Sequence, residues 1–178
     1  MSEVIIERAE PEDAAAVFAV QRTTWLATYP DETAGITPEY IQTRMEGEHG
    51  ELIAKKEARW KATIESGERA VFVARLDGKV VGFAAPGVID GQHRVGSLYV
   101  LPEAQGKGLG YQLLKKAVEW HGPGHDIYLR VVSYNSGSIA FYRRFGFIET
   151  GKSVIDENAR QRGEQELPEI EMVLKAKS

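Results

Sequence analysis

The residues in this 178-residue sequence best placed to do chemistry are three glycines at alternate positions, Gly106, Gly108 and Gly110, in the run Gln105-Gly-Lys-Gly-Leu-Gly110. Glycine takes the side chain out of a loop, so backbone N–H groups can come close to an anion, and a helix start just beyond adds unpaired donors with a partial positive charge. Such a loop suits a phosphate, although the same glycines would also serve a plain tight turn. Lys107 either adds charge to a bound anion or lies in solvent. Two phosphate-binding patterns fit poorly. A P-loop needs Ser or Thr after Gly-Lys to reach magnesium, and Gly108 stands there; a dinucleotide fingerprint needs G-x-G-x-x-G, and these glycines follow G-x-G-x-G. Nucleotide hydrolysis and hydride transfer lose support.

Four further positions carry side chains of chemical interest. Asn135 precedes an apolar helical pattern, where it would cap the first turn. Tyr142 lies within that helix, with a ring to pack and a hydroxyl to donate. Trp25 and Tyr29 are four apart on one helix face, with Asp31-Glu32 just beyond. Packing beneath a sheet is one role for such aromatics, and cradling an ammonium group is the other.

The elements that must position these residues are legible in outline. A short strand at 4–6 leads to Pro11, Glu12 and Asp13, the first turn of a helix that ends near Thr28 before Pro30-Asp31. A second helical region runs from Pro38 to about Ser66, broken near 48–50; in its later half Leu52, Lys56, Arg59 and Trp60 give only a narrow apolar stripe among many charges. Residues 70–76 and 79–85 read as two strands joined by an Asp77-Gly78 hairpin. A third run, 94–101, ends at Pro102 and delivers the glycine loop to a helix whose one face carries Leu109, Leu113, Ala117 and Trp120. Gly122-Pro123-Gly124 stops it. A strand at 127–133, a helix at 136–145 and strands at 147–155 and 170–174 follow, with a polar, charged connection at 156–166 that reads as solvated or as a substrate lid. This order predicts one mixed sheet with helices packed on it.

Composition narrows the class. Lys and Arg number 22 against 26 Asp and Glu, for a net charge of −4, which speaks against a basic nucleic-acid reader. With 43% hydrophobic and 27% charged residues the chain can bury a proper core, and its length favours one domain. The absence of Cys excludes disulfides, thiolate zinc sites and a cysteine nucleophile, and suits a reducing compartment. No run approaches 18 apolar residues and the opening MSEVIIERAEPED is acidic, so the expected location is the cytoplasm, with no membrane partner.

Gln105-Gly-Lys-Gly108-Leu-Gly110 resembles the Q/R-x-x-G-x-G/A signature of the GNAT superfamily of N-acetyltransferases, and Leu98-Tyr-Val-Leu-Pro102 is similar to the strand that precedes it. Asn135-Ser-Gly-Ser-Ile-Ala-Phe-Tyr142-Arg-Arg-Phe-Gly-Phe147 resembles that family's downstream Asn, helical Tyr and Gly-Phe pattern, at the expected distance. The resemblance implies an α+β fold, a mixed but mostly antiparallel sheet flanked by helices, forming a single acetyltransferase domain over 1–178. Its CoA-binding core would span about 94–150 and its acceptor-shaping helices about 11–66. It implies acetyl-CoA as co-substrate, with no metal. The strands around Leu98, Tyr99 and Val100 and around 129–133 would splay so that the pantetheine arm pairs with the backbone of Leu98 and Val100. Amides of Gln105, Gly106, Lys107, Gly108, Leu109 and Gly110, helped by Tyr111, would hold the pyrophosphate, and Asn135 would lie along the arm.

By the same resemblance, an amine attacks the thioester directly in a ternary complex, a backbone N–H within 98–100 polarises the carbonyl, and Tyr142 protonates the departing sulfur. A phenol of ordinary pKa, about 10, is slightly too weak an acid for a thiol of about 8.5, yet close enough for the task. The sequence departs from the family at the general base, because the strand position that commonly carries Glu is Gly96. His93 or Glu103 acting through water, water oriented by Tyr99, or an amine that arrives neutral would each fill the role, and the base stays unassigned. Trp25 and Tyr29 are the acceptor candidates, for a small amine, a polyamine, or a peptide or protein amine. A non-catalytic CoA-binding or regulatory module is the alternative, and a homodimer through the final strands or a sheet edge is compatible with the pattern.

Overall fold

A computed structural model of the chain describes residues 3–154 and 166–177. Its centre is a seven-stranded sheet in the order β1-β2-β3-β4-β5-β7-β6. The strands are β1 (Val4–Arg8), β2 (Phe72–Leu76), β3 (Lys79–Ile89), β4 (Gln92–Val100), β5 (Ile127–Val132), β6 (Ile148–Val154) and β7 (Glu169–Leu174). Five helices accompany them: α1 (Ala14–Thr28), α2 (Pro38–Glu46), α3 (Ile53–Ser66), α4 (Leu109–His121) and α5 (Ser136–Phe145). The order of elements agrees with the sequence reading, and α5 agrees to the residue. The main difference is length: β1 runs on to Arg8 and β3 to Ile89, because each finds an antiparallel partner along its whole course. The connection at 156–166 lies, but for residue 166, outside the described residues.

Two dipeptides build the first half of the sheet. Asp77-Gly78 and Asp90-Gly91 both have positive φ at both positions (50° and 79°, 52° and 74°), the turn whose twist matches that of the flanking strands. Each therefore closes a tight hairpin, β2 to β3 and β3 to β4. Helices then cover both faces. On one face Leu109, Leu113 and Leu114 of α4 and Ile139 of α5 pack on Val95, Leu129 and Met172. On the other, Val17 and Val20 of α1 and the half-buried Trp60 of α3 pack on Val73 and Phe83. No side chain of α3 is fully buried, in keeping with its narrow apolar stripe; Trp60 stacks edge-on against Phe83 at 5.1 Å and donates its indole N–H to Gln21 at 2.9 Å.

Every pair of neighbouring strands is antiparallel except β4 and β5, which are parallel and meet only at Arg94 and Tyr128. Beyond that contact they part. On its other edge β4 is bulged: Ala84 faces Leu98 but Pro86 faces Val95, so β4 holds one residue more than β3 across Gly96-Ser97. The sequence carried no signal of this bulge, which bends β4 where it leaves β5.

Candidate active site

Where β4 and β5 separate, a cavity of about 550 Å³ opens, walled by Val95 to Val100 of β4, Arg130 and Val131 of β5, the glycine loop with the start of α4, and the start and middle of α5. Thr24, Thr28 and Tyr29 reach it from α1 and its C-terminal cap. The backbone of β4 is arranged for a guest strand. In an antiparallel ladder successive residues turn their N–H and C=O to opposite sides. Leu101 donates to Val81 O at 2.8 Å, so Leu101 and Tyr99 are turned toward β3 while Leu98 and Val100 are turned toward the gap that β5 has vacated. Gln105 Nε2 donates to Val100 O at 3.0 Å and ties the loop to the end of the strand.

The glycine loop has the conformation that its composition predicts. Gly106 and Gly108 have φ of +76° and +75°, and a Cβ on either would meet nothing within 4 Å. The first turn of α4 leaves backbone N–H groups without intrahelical acceptors, and these open toward the cavity mouth. Gly110 and Tyr111 also line the wall, Tyr111 against Phe145 at 5.3 Å between ring centres. Lys107 is exposed and stands outside the wall. Two cations that sequence reasoning missed, Arg130 and Arg144, are on it. Arg130 is signalled by the alternation of β5, exposed between buried Leu129 and Val131, whereas Arg144 reads in sequence as a helix-dipole partner at the end of α5. Among the described residues no carboxylate lines the cavity, so its field favours an anionic ligand.

Asn135 caps α5, its Oδ1 accepting from Ser138 N at 3.1 Å, and it also lines the cavity. Tyr142 is buried among Phe141 and Phe147 and reaches the same wall. Burial first, and the neighbouring Tyr99 second, push its pKa above the ordinary phenol value, so its hydroxyl keeps its proton through the neutral range. Tyr29 and Tyr99 form a pair on the opposite face of the sheet. Both are raised chiefly by burial, and their hydroxyls interact. Trp25 stacks edge-on against Tyr29 at 4.9 Å but stays off the wall, packed in the cluster of Ile36, Ile41 and Val132 with Arg44 over its ring.

The candidates for a general base disperse. His93 sits at the far end of β4, its Nδ1 3.0 Å from that of His121 and its ring stacked on His125. Glu103 is exposed in the turn after β4 and lies off the wall. The space beside Gly96 is taken by the guanidinium of Arg69. Of His93, Glu103 and Tyr99, only Tyr99 lines the cavity.

Residues 37–147 match the model of the acetyltransferase (GNAT) family. The chain is 36% identical over 106 residues to an uncharacterized N-acetyltransferase of Methanocaldococcus jannaschii, covering 53% of this chain and 47% of that one. It is 33% identical over 110 residues to the streptothricin acetyltransferase of Streptomyces lavendulae, covering 58% of each. The matched region thus spans about half the length of these curated relatives. In structure the chain is similar to the PaiA N-acetyltransferase of Thermoplasma acidophilum in complex with coenzyme A, with a TM-score of 0.72, 21% identity, and coverage of 97% of this chain and 99% of that one.

Proposed function

The chain belongs to the acetyltransferase (GNAT) family, and from that premise we propose that it transfers the acetyl group of acetyl-CoA to a primary amine by direct attack in a ternary complex. The observation that carries this reading is the gap between β4 and β5, with the backbone of Leu98 and Val100 turned into it and an open glycine loop at its mouth. The residues present fit the co-substrate. Leu98 and Val100 supply strand-like partners for the amide groups of a pantetheine arm. Leu109, Gly110 and Tyr111 supply helix N-terminal donors for its pyrophosphate, with Arg130 and Arg144 neutralising charge. Asn135 serves both as cap and as wall. The bound coenzyme of the Thermoplasma relative supports the same assignment.

Acetyl-CoA brings an activated thioester; the chain's part is alignment and charge. Side-by-side alignment alone is worth up to about 7–11 kcal/mol of barrier. A backbone N–H within 98–100 stabilises the oxygen that becomes negative as the new C–N bond forms. Tyr142 donates to the sulfur as the C–S bond breaks, and the proton that the nitrogen sheds as the amide forms returns to the Tyr142 oxygen. With its pKa raised, Tyr142 delivers its proton only late, once the charge on sulfur is nearly complete, and the burial that weakens the phenol also raises the basicity of the thiolate. With no carboxylate on the described wall, the acceptor enters as the neutral amine. The streptothricin relative is named for a small-molecule acceptor, which supports a small amine over a protein side chain.

Thermal unfolding with acetyl-CoA, CoA, ATP and NAD in parallel, followed by CoA release with a panel of amines, tests this reading. A ligand at about 100 times its Kd adds roughly 2.7 kcal/mol, a rise of about 5–11 °C at roughly 2–4 °C per kcal/mol. The expected result is such a rise with acetyl-CoA and CoA alone, and amine-dependent release of CoA. Binding without release would make the protein a CoA-binding module. A rise with ATP or NAD alone would overturn the site.

A further inference from the structure

On the face of the sheet opposite α4, Arg69 lies flat across two strands. Its stem crosses β3 over Gly87, where a Cβ would stand 2.8 Å from its Cγ, and its Nη2 ends over Gly96 of β4, where a Cβ would collide with it. Gly87 and Gly96 thus clear a path, one on each strand, for a single side chain. The guanidinium at the end of that path is short of acceptors. Nη2 donates to Ala85 O at 3.1 Å, Nε is buried with no partner, and no carboxylate among the described residues pairs with it. The neighbouring charge is of the same sign, Arg59 on α3, and burial together with Arg59 lowers the Arg69 pKa. A half-buried guanidinium whose Nε is shut off from water without a partner, with one carbonyl on Nη2 and another cation nearby, is electrostatically incomplete. Gly96, under its tip, lines the cavity, while Arg69 itself stands beside Gly96 and off the lining. Thr24 also lines the cavity; it is 6% exposed and its Oγ1 is buried with no partner.

We propose that Arg69 recognises an anion on the acceptor, that Thr24 assists it, and that the acceptor is an amine carrying a carboxylate, an amino acid in the broad sense. The planar fork of Arg matches a carboxylate with two parallel hydrogen bonds, which a single carbonyl does not fill. A carboxylate there supplies the missing counter-charge without competing against an acid on the described wall. This assignment rests on the acetyltransferase reading, which makes Gly96 and Thr24 part of the acceptor side.

The test is calorimetry on the CoA-loaded protein with the twenty L-amino acids, β-alanine, γ-aminobutyrate and 4-aminobenzoate, each binder then compared with its carboxamide. The same amines are assayed for CoA release from acetyl-CoA. The expected result is at least one acid that binds tenfold or more tightly than its amide. In Arg69→Met that preference disappears while CoA affinity stays within twofold. Gly96→Ala, which displaces the guanidinium without removing it, is the second variant should Arg69→Met fail to fold, and the same loss is expected. No preference for an acid in the unaltered protein, or a preference that survives in the variants, would overturn the proposal. An Arg69-dependent acid preference with no CoA released by any amine would leave the anion site standing and remove acetyl transfer.

Discussion

The unit made by β4 and α4 is open at one end and shut at the other. At the open end, where β4 finishes and α4 begins, the first helix N–H groups have no intrahelical acceptor, Val100 O is held by Gln105 Nε2, and Gly106 and Gly108 leave space beside them. At the shut end, where β4 begins and α4 finishes, the polar groups close on one another. His121, 6% exposed, donates from Nε2 to Arg94 O at 3.0 Å, which leaves its neutral Nδ1 to accept from His93 Nδ1 at 3.0 Å. Arg94 pairs through Nη2 with Glu171 at 3.3 Å, both buried, while its buried Nε has no partner. One strand and one helix thus differ end to end in how far protein groups complete their hydrogen bonds.

The two ends of α4 even carry matched glycines. Gly108 before the helix and Gly122 after it have φ of +75° and +72°, each with nothing within 4 Å of a Cβ. Any side chain at either costs about 1–2 kcal/mol of backbone strain, so substitution separates conformation from ligand binding. Gly108→Glu is expected to weaken acetyl-CoA at least about 100-fold in calorimetry, since bulk and negative charge enter a cradle built for an anion. Gly122→Glu should lower stability by a similar amount and leave affinity within twofold. Equal affinity in both variants would erase the distinction between the ends.

Tyr142 sharpens the comparison from within the open end, because it belongs both to the core and to the cavity wall. Tyr142→Phe keeps the ring and its packing, so stability should change by less than about 1 kcal/mol and acetyl-CoA affinity by less than twofold. Turnover should fall about 10–100-fold if the hydroxyl donates to the leaving sulfur. Unchanged turnover would reduce Tyr142 to a packing residue.

What could be read in advance divides along the same line. The open end depends on local features: the alternate glycines, the strand before them and the Asn135 cap are each contiguous in sequence, and all were legible. Even α5 was legible to the residue, since Asn135 and Gly146 mark its ends. The shut end depends on residues 93, 94, 121, 125 and 171, whose meeting requires the sheet order, and nothing local announces it. The path of Arg69 escaped for the same reason. Gly87 and Gly96 are silent as letters, and only the pairing of β3 with β4, Gly87 opposite Arg94 and Gly96 in the bulge two residues on, brings both beneath one side chain. The bulge at Gly96-Ser97 is a mismatch between two strands, so neither strand alone contains it.

The smallest expected effect comes from the shut end and concerns stability alone. Burial is the first cause holding the His121 pKa below its usual value, with His93 and His125 adding like charge against the hydrogen bond to Arg94. A histidine in the unfolded chain titrates near pH 6.5. The contribution of His121 is therefore complete above that pH. It drains away as pH falls through 6.5 toward the lowered folded value, because the unfolded chain takes up a proton that the folded ring refuses. Protonation would also set two N–H groups face to face across the His93 contact. His121→Phe keeps a ring of similar shape but leaves Arg94 O and His93 without their partner, at a cost of about 1–3 kcal/mol at pH 8. The gap in urea midpoint between the two proteins should narrow from pH 8 to pH 5.5, with acetyl-CoA affinity unchanged at pH 8. A gap that stays constant with pH would mean that His121 does not titrate between the two states, and an affinity change at pH 8 would mean that the two ends of α4 are coupled through the helix rather than independent.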